Sequence, residues 1–243
     1  MSRVLLLRLA GPLQSWGDSS RYTRRLTRNE PTKSGVVGLL ASALGRSREE
    51  PVADLAELEF AVRTDQRGEL VRDFQTERSE RETMPLTHRY YLSDAKFLVA
   101  LSGQDELLAD LDAALKSPAW PLYLGRRSCP AEFPVSLGLH DEYADVREAL
   151  ERHPWLASDW YKKKHKAVEL EVAADAREGE PCESQADYPL SFSDAGRRYA
   201  GRSVCRYRIP NPDALEDISG LDRGPDGKDG ASQPEFDHDP MGF

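Results

Sequence analysis

Hydrophobic and polar positions along the chain alternate in a few clear regimes. Residues 3 to 10, RVLLLRLA, are a near-continuous apolar run interrupted by Arg3 and Arg8, short enough for a central strand that Gly11-Pro12 ends. PTKSGVVGLLASALG has apolar residues at helical spacing, with Thr32 or Ser34 to cap it and Gly45 to stop it, predicting a helix over 33–44. Gly35, Gly38 and Ser42 share one side of that helix and allow a close backbone approach. LEFAVRTDQ (58–66) and KFLVALSG (96–103) read as a second and a third strand. QDELLADLDAALKSPAW (104–120) places Leu107, Leu108, Leu111 and Leu115 on one helical face, and PLYLG (121–125) offers a short fourth strand. Strand, helix, strand, strand, helix, strand is the split β-α-β order, so the fold class is α+β, ferredoxin-like.

Two regions depart from this rhythm. The polar stretch from Gly68 to Asp94 is too long for a plain hairpin loop, and loops of that length are usually functional or partly disordered. Past Pro134 the pattern weakens: VELEVAAD (168–175) and RSVCRYRIP (202–210) predict strands of a smaller second sheet. From Asn211 onward Gly, Pro and Asp dominate, predicting a disordered acidic tail. The organisation expected is a domain over 1–134 with its insertion at 68–94, a smaller β-rich part over 135–210, and a tail over 211–243.

Charge changes the picture by its distribution. The formal net charge of −9 argues against a polyanionic partner, but residues 211–243 hold nine acidic and two basic residues. Residues 1–48 hold nine Lys or Arg against Asp18 and Glu30. Arg21, Arg24, Arg25 and Arg28 fall between the first strand and the first helix, with Lys33 at the helix start. A guanidinium donates two parallel hydrogen bonds to a phosphate and keeps its charge, so phosphate binding is the functional reading and surface ion pairing the plainer one. PTKSG at a helix start suits an anion but lacks the spacing of a Walker loop, and ordinary capping explains it nearly as well. Trp16 reads as core, with a base platform as the alternative. Arg126 and Arg127 follow the expected fourth strand on the side of the first turn.

Catalytic signals are few. His88 beside Arg89, Tyr90 and Tyr91, and His165 within KKKHK, are the candidates for general acid-base cleavage of RNA. Solvated loop histidines are the ordinary reading. Cys129, Cys182 and Cys205 are too few and too widely spaced for a disulfide framework or a zinc site, and read as reduced, mostly buried residues. No run suits a membrane span or a secretory signal, so a cytoplasmic chain is expected.

LRLAGPLQSWG, PTKSGVVGLLASALG, RYYLSDAKF and YLGRRSCP, in this order and spacing, resemble the Cas-five branch of the CRISPR repeat-associated RNA-binding superfamily, in the form that serves type I-E Cascade. The resemblance is strong over residues 1 to about 135. It implies a ferredoxin-like domain that holds the 5′ handle of a CRISPR RNA and caps the backbone filament, with the 68–94 insertion as a thumb. It also implies as partners the backbone subunit CasC, the large subunit CasA and target DNA through the assembled complex, with no membrane, cofactor or metal. By the same motifs Gln14, Lys33, Ser34, Arg89, Arg126 and Arg127 fall in handle-holding stretches, with Arg28 added, and Trp16 belongs to the motif as stacking platform or core. Together with Arg21, Arg24 and Arg25 these form the candidate RNA-binding set. Relatives that cut repeat RNA supply the alternative, a metal-independent endoribonuclease. A purely architectural subunit with interfacial arginines is a third reading. The KKKHK run matches no motif of the family.

Overall fold

The computed structural model describes residues 3–17, 23–76, 85–165 and 169–214. In chain order the elements are β1 (Val4–Ala10), β2 (Leu13–Gln14), β3 (Arg24–Arg25), α1 (Lys33–Ala43), α2 (Ala53–Ala56), β4 (Glu59–Gln66), β5 (Glu69–Gln75), β6 (Thr87–Ser93) and β7 (Lys96–Ser102). The chain continues through α3 (Asp105–Lys116), β8 (Ser136–His140), α4 (Val146–Arg152), α5 (Asp159–Lys164), β9 (Glu169–Asp175), β10 (Glu183–Ser191) and β11 (Arg198–Pro210).

The main sheet has seven strands in the order β10-β11-β9-β4-β7-β1-β8, every pair antiparallel. Its β4-β7-β1-β8 portion, with α1 and α3 as crossovers, is the split β-α-β arrangement. The apolar run of β1 is nearly continuous because both of its faces are buried. Leu5, Leu7 and Leu9 pack with α1, α2 and α3 on one side, while Val4 and Leu6 pack with α4 and Trp155 on the other. Phe97, Val99 and Leu101 of β7 divide from Leu98 and Ala100 by the same period of two.

Three expectations are corrected. PLYLG forms no strand: Gly125 takes a positive φ of 92°, Leu124 N donates to Cys129 O, and only Tyr123 bridges Pro130. The strand that flanks β1 is β8, a loop further on. The second helix ends at Lys116, because Pro118 disfavours helical backbone at Ser117. The late strands build no separate sheet either, since β9 pairs with β4 (Ala61↔Ala174 to Thr64↔Glu171) and carries β11 and β10 into the main sheet. The second sheet is instead small and belongs to the insertion: β6 pairs β5 on one edge, and β2 and β3 on the other. Asn211 is buried at 3% exposure, so packed chain extends four residues past the expected start of the tail. The remaining tail lies outside the described residues, as does Arg21. Cys129 is buried, whereas Cys182 is exposed and Cys205 half-buried; all three are free.

A buried ion pair fixes the second layer. Arg63, on β4 and wholly inside, grips Asp65 at 2.5 Å and donates to the carbonyls of Leu150, His153 and Pro154. Asp65 in turn accepts from Leu156 N at 2.8 Å. Every donor of this guanidinium thus has a partner, the condition under which a buried charge is tolerated.

Candidate nucleic-acid interface

Strand pairing brings together arginines that are far apart in sequence. β3 runs parallel to β6, pairing Arg24 with His88 and Arg25 with Arg89, and His88 N donates to Thr23 O at 2.7 Å. Paired residues project to the same side of a sheet, so Arg25 and Arg89 share one face and Arg24 and His88 the other. The loop after Leu124 adds Arg126, which donates to Tyr90 O at 3.1 Å and Arg25 O at 2.8 Å. Its guanidinium lies over the Tyr91 ring at 4.6 Å. Arg126 is therefore a clasp joining β3, β6 and its own loop.

Several arginines that tie the strands together are neutralised: Arg147 by Glu180, Arg202 by Asp175 and Asp187, and Arg206 by Glu30 and Glu183. Arg24, Arg25, Arg89 and Arg127 have no ion pair among the described residues. Arg24, Arg25 and Arg127 are exposed, and Arg89 is half-buried with its Nε unpartnered. Arg28 is half-buried, its N–H donating to Trp16 O at 2.7 Å. Clustered like charges without counter-charges repel one another, which leaves the cluster disposed to take an anion.

The start of α1 is different from the expectation. Thr32 caps it by accepting from Gly35 N at 3.2 Å, and the anion that the helix terminus attracts is a carboxylate of this chain. Asp187 of β10 accepts from Lys33 N at 2.8 Å and from Arg202 at 3.0 Å. Asp175 of β9 accepts from Lys33 Nζ at 3.0 Å, from Arg202 at 2.7 Å and from Phe60 N at 2.9 Å. Two cations and two anions close a buried network. Burial pushes the Lys33 ammonium below its ordinary value, and Asp175 offsets part of that shift. For Arg202 burial works against the charge, and Asp187 and Asp175 outweigh it.

Three members of the candidate set therefore lie inside the protein, and a fourth, Ser34, is largely buried at the wall of a cleft. Gln14 is fully buried, donating to Leu9 O and Ala95 O and accepting from Trp16 Nε1 at 3.0 Å. Trp16 is core, at 1% exposure against α1. Lys33 is committed to Asp175. Ser34, at 7% exposure, reaches only Thr32 Oγ1.

Beside α1 opens a cleft of about 440 Å³ between its small-residue side and the β10–β11 connection. Gly35, Gly38, Arg127, Phe192, Arg197 and Tyr199 contribute to its walls. The Phe192 and Tyr199 rings stand 6.4 Å apart, offering apolar faces next to cations. Sequence reading missed Phe192, Arg197 and Tyr199, because a separate second sheet would have kept FSDAGRRYAGR away from α1. That stretch does carry a signal: aromatic, Gly and Arg residues interleaved within one connection.

Among the described residues, neither catalytic candidate is hydrogen-bonded to a partner base. His88 lies on the small sheet and Lys96 on the main one, with Lys96 over the Phe133 ring at 5.6 Å. His165 stacks on Tyr161 at 4.2 Å between centroids. Among the described residues, no group of three or more His, Cys, Asp or Glu could hold a metal ion.

The sequence model of the family described as CRISPR-associated protein (Cas_Cas5) matches residues 4–205. The CRISPR system Cascade subunit CasD of Escherichia coli (strain K12) is 35% identical over 188 residues, covering 67% of this chain and 82% of that protein. A solved Cas protein superposes with a TM-score of 0.67 at 42% identity, over 86% of this chain and 95% of the other. A chain of a CRISPR RNA-guided surveillance complex superposes with a TM-score of 0.68 at 33% identity, over 85% and 91%. A match over most of the chain, together with a ferredoxin-like sheet carrying an inserted hairpin, identifies it as a member of the Cas5 family of CRISPR-associated proteins, in the branch of the Cascade subunit CasD.

Proposed function

We propose that this Cascade subunit binds the 5′ handle of a CRISPR RNA, caps one end of the backbone filament and leaves the RNA uncut. The observation that carries the reading is the small sheet's set of arginines free of ion pairs among the described residues, Arg25 and Arg89 on one face and Arg24 on the other, with Arg127 in the neighbouring cleft. Guanidinium groups neutralise phosphates, and the Phe192 and Tyr199 rings receive unstacked bases, the usual way single-stranded RNA is read. Gln14, Trp16, Lys33 and Ser34 take a supporting role, fixing β2 and α1 so that the contacting side chains hold their places.

The hairpin of β5 and β6 acts as the thumb. Leu70 and Phe74 stand on one face of it at 62% and 68% exposure, as a wedge against a bent strand or a backbone subunit would. In this reading CasC adjoins the hairpin, CasA lies beyond the handle, and target DNA is reached through the assembled complex.

One observation favours the alternative endoribonuclease: His88 Nδ1 is buried beside Arg24 without a partner among the described residues. A single experiment separates the two. Purified chain is incubated with repeat RNA across a salt series, retention is read on filters and RNA length on a denaturing gel. Intact RNA held in a handle-dependent, salt-sensitive way supports the proposal. A discrete cut that disappears in His88→Ala supports the nuclease.

A further inference from the structure

The C-terminal end of the described chain sits on the one basic segment that the RNA reading does not use. Asp213 accepts from Trp155 N at 3.1 Å and pairs with Lys162 at 2.8 Å, so the chain leaves Ala214 beside α5. α5 reads DWYKKK and is followed by His165. Lys163 and Lys164 are exposed and have no ion pair among the described residues. Trp160 is 54% exposed, its ring meeting Tyr161 edge-on at 5.5 Å. Asp159, in the first turn, is the one acidic residue of the helix. The face thus presents two free ammonium groups and an uncovered indole.

Residues 215–222, LEDISGLD, have the complementary chemistry. They carry three carboxylates, Glu216, Asp217 and Asp222, and three apolar side chains, Leu215, Ile218 and Leu221, with no cation. Eight residues reach about 26 Å when extended, and the six-residue α5 is about 9 Å long, so length imposes no obstacle. Tethering at Asp213 gives the segment a high effective concentration at this face.

We infer that residues 215–222 dock on α5, pairing Lys163 and Lys164 with the acidic side chains and covering Trp160 with the apolar ones. The docked segment hides a cationic patch that would otherwise attract nucleic acid of any sequence, and leaves the Arg24, Arg25 and Arg89 cluster open.

Carbodiimide cross-linking of the full chain, read by mass spectrometry, tests this directly. The expected products join Lys163 or Lys164 to Glu216, Asp217 or Asp222 within one molecule, and fall several-fold between low and about 0.5 M salt as screening shortens the reach of the charges. The variant Glu216→Lys/Asp217→Lys/Asp222→Lys should lose them, shift Trp160 emission to the red, and bind a 20-nucleotide oligothymidylate about tenfold more tightly. A control with the same charge change further along, Glu235→Lys/Asp237→Lys/Asp239→Lys, should leave Trp160 emission unchanged. Adding Lys163→Glu/Lys164→Glu to the first variant should remove the gain in oligothymidylate binding. Absent or intermolecular cross-links overturn the inference, as does an equal gain in the distal control. Protection of Lys163 and Lys164 by oligothymidylate in the unmodified chain would show an open nucleic-acid surface instead.

Discussion

A β-carbon at Gly35 would stand 2.8 Å from Trp16 Cε3 and 3.0 Å from Thr32 Oγ1. Trp16 cannot retreat, since its indole is tied to Gln14, whose amide is tied in turn to Leu9 and Ala95. Gly35→Ala gains about 1 kcal/mol in helix propensity and loses about 1–3 kcal/mol to overpacking, so denaturant unfolding should show a net loss. Gly35→Ser, larger still, should lose more. His153 sets a second residue-scale expectation. Burial, then the Arg63 charge, hold its imidazole at about 4. The folded state therefore favours the neutral ring, while the unfolded chain takes up a proton near the ordinary value of about 6.5. Its contribution is complete above about pH 6.5 and is lost as pH falls toward 4, because the unfolded state binds more protons in that window. The thermal midpoint should drop across this range, and His153→Gln should flatten the drop. At this scale the sequence was partly legible. Trp16 as core could be read from its place after a strand, but the burial of Lys33 could not, because its partner Asp175 lies 142 positions away.

Elements are joined here by buried charge as much as by apolar surface. Asp187 ties β10 to the start of α1 and to β11, and Asp175 ties β9 to the same lysine and to Phe60 N of β4. Removing one partner of such a network strands the others, at a cost of about 3–5 kcal/mol. Asp187→Ala should therefore lower the unfolding midpoint by that order and loosen α1, which protease sensitivity around residues 32–36 would report. A loss under 1 kcal/mol would mean the network is incidental. The first five elements of the split β-α-β core were legible from short apolar runs at β1 and β7, alternation at β4 and helical spacing in α1 and α3. The fourth strand and the late strands were misplaced for a common reason: β-pairing is non-local, and neither the β1–β8 register nor the β4–β9 register leaves a mark in local pattern. The inserted hairpin announced itself by length, yet its parallel pairing with β3 did not.

For the whole molecule, the net charge of −9 hides an uneven surface. Carboxylates neutralise the arginines that hold the sheet together, while Arg24, Arg25, Arg89 and Arg127 are left without such partners among the described residues. The basic N-terminal stretch was visible in sequence, but which of its cations would be spent internally was decided only by the fold. The central claim is that the open arginines bind RNA phosphates, and each phosphate contact on a single strand contributes about −0.7 to the log-log salt slope. The most direct test is to measure handle-RNA affinity across a salt series for the unmodified chain and for Arg24→Glu/Arg25→Glu, with circular dichroism to establish folding. The expected result is a folded variant that binds at least tenfold more weakly, with a salt slope shallower by about 1.4. Unchanged affinity and slope in a folded variant would contradict it.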